Sequence, residues 1–188
     1  MEVFPLKHNK QLRALTECAL LTALALALSY LEIPIGFAFG GFGGSLSLAM
    51  IPVVFCGLRW GPVWGLGSGL VMGTLKFFFT AGAGITWQSI LLDYTLAYML
   101  VGLSGVVRGR DNLAWLGALI GCLGRFAIHF ISGVTIYAEY VEPIFGWNGT
   151  SSVIYSILYN GSYMLPNTIL TVAIVLILQK PMKRFLVK

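Results

Sequence analysis

The sequence predicts an all-α, polytopic membrane protein with six transmembrane helices and both the N- and C-termini in the cytoplasm. Its residues are 57% hydrophobic and only 10% charged, where a soluble domain is about a quarter charged. Several apolar runs approach or exceed the roughly 18 to 20 residues that cross a hydrocarbon core. When those runs are taken as spans, ten of the twelve lysines and arginines fall on one side, which is the side that stays in the cytoplasm. No linker or repeat divides residues 1–188, so they read as a single transmembrane domain.

The first span covers residues 12–31 behind a basic lead with Lys7, Lys10 and Arg13. It reads as a retained helix rather than a cleaved leader, because its small residues sit inside the apolar run. Residues 33–44 form a loop rich in Gly and Phe that folds onto the membrane-embedded body. The second span, 45–58, ends at Arg59, and Gly61-Pro62 opens the third, 62–79. The fourth, 87–107, stops at Arg108-Gly109-Arg110-Asp111. The fifth, 113–137, precedes an acidic loop with Glu139, Glu142 and Trp147-Asn148-Gly149. The sixth, 152–178, starts behind Ser151 or Ser152 as N-cap and ends in a basic tail with Lys180, Lys183, Arg184 and Lys188.

Cys18, Cys56 and Cys122 each stand alone in an apolar run, without CxxC or Cys/His metal spacing. They read as small buried residues and not as a disulfide framework. The positive net charge of +5 is explained by topology, so it needs no nucleic-acid partner. Small residues recur every four positions at Ala19, Ala23 and Ala27, and again at Gly61, Gly65, Gly69 and Gly73. Such faces let helix backbones approach closely. Packing within the bundle is the default reading, with the alanine face the better candidate for a partner protein.

Functional information lies in the polar groups inside the spans. Arg125 and His129 are four residues apart, hence one above the other on a helix face. Ionisable groups at membrane depth are costly and turn toward a protein interior or an aqueous cavity. Asp93 lies about six residues, or roughly 9 Å, below the outer end of the fourth helix. With the predicted orientation, Asp93, Tyr94, His129, Tyr137, Tyr155 and Asn160 occupy one outer stratum on three helices, with Arg125 one turn deeper. Taken singly, each has a plainer role. Asp93 can pair with Arg125 or Lys76, Lys76 reads as snorkelling to the interface, and the tyrosines and Trp87 can form an interfacial belt. Asn160 can bond between helices. Agreement in depth is the signal. One carboxylate with aromatic faces, a histidine and a carboxamide suits a flat cationic heterocycle, held by charge and by ring faces.

Four stretches carry a family resemblance: Leu15-Thr16-Glu17-Cys18-Ala19 with its alanine repeat, Leu92-Asp93-Tyr94, His129-Phe130-Ile131-Ser132-Gly133, and Tyr155-Ser156-Ile157-Leu158-Tyr159-Asn160-Gly161. Over its full length the chain resembles the thiamine-specific substrate-binding subunits (S-components, ThiT type) of energy-coupling factor transporters. The resemblance implies a high-affinity thiamine site formed by Asp93, Tyr94, Arg125, His129, Tyr137, Tyr155 and Asn160. It also implies docking of a transmembrane coupling protein on the Ala19/Ala23/Ala27 face, with two ATPase subunits supplying the energy. Family members carry glutamate, lysine and tryptophan where Asp93, Arg125 and Tyr137 stand. The family's lid tryptophan has no single counterpart among Phe37, Phe39 and Phe42.

The chain has no G-x-x-x-x-G-K-[ST] phosphate loop, so ATP would be used by partners only, and no cofactor is implied. Alternatives are an S-component for another vitamin or a thiamine precursor, a small membrane enzyme with Asp93 and His129 as acid and base, and an ion-coupled carrier. The enzyme reading lacks a nucleophile, metal cluster or second carboxylate at that depth. The carrier reading lacks inverted repeats.

Overall fold

The computed structural model describes residues 6–35, 44–79, 86–140 and 151–186. Its helices are α1 (Leu6–Leu28), α2 (Met50–Trp60), α3 (Pro62–Phe79), α4 (Trp87–Val107), α5 (Ala114–Thr135), α6 (Ser152–Gln179) and the single turn α7 (Lys183–Leu186). Among the described residues, four segments are long and apolar enough to cross a membrane: Lys10–Leu28, Trp87–Val107, Ala114–Thr135 and Ser152–Gln179. The aromatic loop with Phe37, Phe39 and Phe42, and the acidic loop with Glu142 and Trp147, lie outside the described residues.

The bundle is built around α2. It is only 11 residues long and all of them are buried, which is what a helix that is apolar on every side requires. It touches α1, α3, α4, α5 and α6. The segment expected to begin this helix does otherwise. Ser45–Ser47 form an extended strand, β2, antiparallel to β1 (Glu32–Pro34), in the register Glu32↔Ser47, Ile33↔Leu46 and Pro34↔Ser45. The Ser-Leu-Ser alternation suits a strand better than a helix start.

The glycine face of α3 packs inside the bundle. Gly65, Gly69 and Gly73 sit against Gly102, the Tyr98 carbonyl and the Tyr94 carbonyl of α4, with no room for a Cβ. Backbone contact this close sets the positions of Tyr94 and Tyr98, so the small residues place the site as well as packing the helices. At the start of α6, the Ser151 hydroxyl caps the Ile154 amide at 3.3 Å, as expected.

The end of the bundle holding the α2–α3 junction differs from expectation in two ways. Arg59 is no loop base but the last turn of α2, only 2% exposed. Its Nε bonds Glu17 Oε2 at 2.5 Å and its Nη2 bonds Glu17 Oε1 at 3.2 Å. Its Nη1 donates to the Phe185 carbonyl of α7, and its guanidinium lies 4.1 Å from the Phe185 ring. Trp60 Nε1 and Arg13 Nε also donate to Glu17, at 3.0 and 2.7 Å. Beside this knot Cys18 and Cys56 form a disulfide, their Cα atoms 5.6 Å apart. The two cysteines, read as isolated, are neighbours because α1 crosses α2 there. Cys122 is free and buried.

At the opposite end Lys76 does not snorkel. Its ammonium sits 2.7 Å from Glu32 Oε2, and the Ser45 hydroxyl donates to the same oxygen at 2.8 Å. A lysine only 8% exposed has no route to the interface and takes a carboxylate instead. The pair ties the β hairpin to α3. Burial pushes the Glu32 carboxyl up, but the Lys76 ammonium and the Ser45 hydroxyl outweigh it and hold Glu32 below the usual carboxylate range. A carboxyl lowered in the folded state stabilises above its ordinary pKa and loses that contribution as pH falls through the folded value. Acidification below the usual carboxylate range is expected to lower the hydrogen-exchange protection factor, the rate relative to the intrinsic rate at the same pH, of the Ile35 amide, which bonds the Gly44 carbonyl at 3.0 Å. Glu32→Gln should remove that acid-dependent step.

Candidate ligand site

The site begins with a change of pitch in α4. Leu91–Leu96 form a π-helical turn between two α-helical stretches, a widened turn often found at functional sites. Asp93 and Tyr94 are on that turn. The facing element is α5, where Arg125, His129 and Ser132 recur at helical spacing on one side. Gly133 has no room for a Cβ against Ser156, so α6 comes close and brings Asn160 alongside.

The polar groups form a chain. Asp93 Oδ1 lies 3.0 Å from His129 Nδ1, and Asp93 Oδ2 accepts from the Ser132 hydroxyl at 2.8 Å. Arg125 Nε donates to His129 Nε2 at 3.2 Å. A guanidinium nitrogen can only donate, so Nε2 accepts and the imidazole proton sits on Nδ1, pointing at Asp93. The imidazole is therefore neutral and bridges a cation to an anion. Among the described residues Asp93 has no lysine or arginine within ion-pair distance. The Arg125 guanidinium stacks 4.1 Å from the ring of Tyr98, which is only 1% exposed.

On α6, Asn160 Nδ2 donates to the His129 carbonyl at 3.2 Å and to the Ser156 carbonyl and hydroxyl oxygens at 3.0 Å each. Asn160 Oδ1 accepts from the Tyr163 hydroxyl at 2.6 Å. Tyr155 is buried and stacks on Tyr159, with ring centroids 5.8 Å apart and planes within 15°. Tyr94 is half-buried and meets Phe77 edge-on at 5.5 Å. Tyr137, just beyond α5, lies beside Ser89 and within electrostatic range of Asp93 and Tyr94.

The expected residues thus fall into grades of contact. Asp93, His129 and Arg125 are joined directly, and Asn160 is tied to His129 through the main chain. Tyr94 and Tyr137 flank Asp93, while Tyr155 stands in the aromatic stack of α6. Sequence reasoning passed over Ser132, Ser156, Tyr98 and Tyr163. Spacing was the available signal: Ser132 follows His129 by three, Tyr163 follows Asn160 by three, and Tyr98 follows Tyr94 by four.

Known proteins resemble this chain along nearly its whole length. The sequence pattern of the family described as "Thiamine transporter protein" (Thia_YuaJ) matches residues 15–187. The "Thiamine transporter ThiT" of Bacillus subtilis is 32% identical over 191 residues, covering 92% of this chain and 93% of that one. Its namesake from Lacticaseibacillus paracasei is 30% identical over 186 residues, covering 90% and 88%. A solved structure of ThiT from Listeria monocytogenes superposes with a TM-score of 0.80 at 27% identity, over 94% of this chain and 98% of that one.

Proposed function

The chain belongs to the thiamine transporter protein family, and on that premise we propose that it is the thiamine-binding subunit of an energy-coupling factor importer, capturing the vitamin from outside with high affinity. Membership makes it a multi-pass plasma-membrane transporter and not an enzyme, so Asp93 and His129 are not an acid–base pair for turnover. The finer reading has six transmembrane helices, α1 to α6, with both ends in the cytoplasm.

One observation carries the ligand assignment. Asp93 is a carboxylate at membrane depth whose hydrogen-bond partners, His129 and Ser132, are both neutral. The nearest cation in its chain of contacts, Arg125, reaches it only through an imidazole. An embedded carboxylate without a directly bonded cation is costly, and a ring cation such as thiazolium supplies the missing charge. In this reading Asp93 and Tyr94 meet the thiamine rings, Tyr137 and Tyr155 offer aromatic faces, and Asn160 contacts the pyrimidine. Arg125 and His129 hold Asp93 in place and border the ligand. Each aromatic face contributes about 0.5–2 kcal/mol toward a delocalised cation.

Energy comes from partners. Ala19, Ala23 and Ala27 are exposed along α1, whereas Ala14, Cys18 and Ala25 are buried on its other side. With Leu15, Leu20 and Leu24 also exposed, this stripe suits close packing by a transmembrane coupling protein that carries two ATPases. Thiamine is expected to quench the tryptophan fluorescence of the purified chain saturably, with no ion requirement and no conversion of the ligand. Absence of saturable binding would contradict the assignment.

A further inference from the structure

We propose that Tyr163, which lies outside the set assigned to the ligand, is a positioning residue that makes the site select an amino-bearing ring over its oxo-bearing counterpart. The inference rests on the thiamine reading and adds to it the residue that fixes how the ring is read.

Hydrogen-bond accounting around Asn160 gives the direction. Its Nδ2 faces the His129 and Ser156 carbonyls, which can only accept. It also faces Ser156 Oγ, whose proton is committed to the Phe130 carbonyl at 3.0 Å, so that oxygen accepts too. Both amide hydrogens are therefore spent inside the protein. On the other side the Tyr163 hydroxyl donates to Oδ1 at 2.6 Å. One capacity remains on the carboxamide, and it is an acceptor. Both imidazole nitrogens of His129 are also in use, and Asp93 only accepts. What Asp93, His129 and Asn160 have left to offer a ligand is acceptors alone, and these call for a donor such as the exocyclic amino group of an aminopyrimidine.

Tyr163 holds that arrangement from three sides. Its hydroxyl anchors Oδ1, and its ring meets the His129 ring edge-on at 5.8 Å. The ring also lies flush against Gly44, at the base of the β hairpin, where a Cβ has no room and φ is +85°. Asn167 fixes the hairpin in turn. Its carboxamide accepts from the Ser47 amide at 3.0 Å, and donates to the Ser45 and Tyr163 carbonyls at 2.7 Å each. The hairpin, Tyr163 and Asn160 thus form one continuous contact path.

Thiamine and its 4-oxo analogue, with a ring carbonyl in place of the amino group, are titrated against the wild-type chain and Tyr163→Phe. Phe keeps the ring and deletes only the hydroxyl. Wild type is expected to favour thiamine by roughly 100-fold or more, because a site of acceptors rejects a ligand that brings another acceptor. Tyr163→Phe is expected to lose roughly tenfold for thiamine, as Oδ1 loses its anchor, and at most about twofold for the oxo analogue, which never used that bond. A merely structural role would weaken both ligands alike, and an unchanged ratio between them overturns the inference. If Tyr163→Phe does not fold, Gly44→Ala, which presses a methyl group onto the Tyr163 ring, is read by the same narrowing of the ratio. Wild type binding both ligands within about threefold overturns the inference while leaving the thiamine reading intact. Wild type binding neither sinks the thiamine reading itself.

Discussion

Asp93→Asn is expected to weaken thiamine binding by roughly 100-fold. The substitution keeps the shape and one acceptor oxygen, so the His129 contact at 3.0 Å can survive. Its amide nitrogen then faces the Ser132 hydroxyl, which can turn to accept. What disappears is the charge. Losing one partner of a desolvated charge interaction costs about 2–5 kcal/mol, and a value in the lower part of that range, about 2.8 kcal/mol, corresponds to roughly two decades in affinity. The same substitution should leave the fold intact, because among the described residues Asp93 pairs directly with no lysine or arginine. Titration of the purified variant, with its melting temperature as control, separates the two effects. A loss under about threefold would mean that the thiazolium charge is balanced elsewhere.

Glu17→Ala is expected to have the largest effect on stability. Arg59 is 2% exposed and donates two hydrogen bonds to Glu17, which also accepts from Arg13 and Trp60. Removing the carboxylate strands a buried guanidinium, a loss of about 3–5 kcal/mol. For a chain of this length each kcal/mol moves the midpoint by about 2–4 °C, so thermal unfolding of the purified chain should shift down by roughly 6–20 °C. Replacing both partners with leucine should recover much of the loss, since a buried pair can be exchanged for apolar packing. Thiamine affinity should hardly change, because the knot lies at the far end of the bundle from Asp93. A midpoint within about one degree of wild type would show that water, and not Glu17, satisfies Arg59.

The site was legible where chemistry made residues conspicuous. Asp93, Arg125 and His129 stand out because ionisable groups are rare at membrane depth, and arranging the spans by charge put Asp93 and His129 in one layer with Arg125 one turn deeper. Ser132 and Tyr163 did not stand out. A serine in an apolar helix usually bonds its own backbone, and Tyr163, well inside α6, carries no charge to set it apart from ordinary aromatic packing. The pitch change in α4 was hidden because Leu91–Leu96 contain no proline or glycine to mark it. The hairpin was hidden for a different reason: strands of three residues are too short to show alternation, and what holds them is Asn167, about 120 positions away. Distance in sequence also concealed Arg59. Its position after an apolar run reads as a loop base, and only the crossing of α1 over α2 brings Glu17 within reach.

The family was legible from its motifs, and its sequence pattern does match residues 15–187. Helix lengths were less so. A helix buried on every side needs no membrane-spanning length, so α2 stops at 11 residues and its expected first turn is spent on β2.

The most direct test of the central claim is a structure of the chain saturated with thiamine. The account predicts the thiazolium within about 4–6 Å of the Asp93 carboxylate, the pyrimidine amino group on Asn160 Oδ1, and the Arg125–His129–Asp93 chain retained. Thiamine bound away from Asp93, with that carboxylate still capped only by His129 and Ser132, would contradict it.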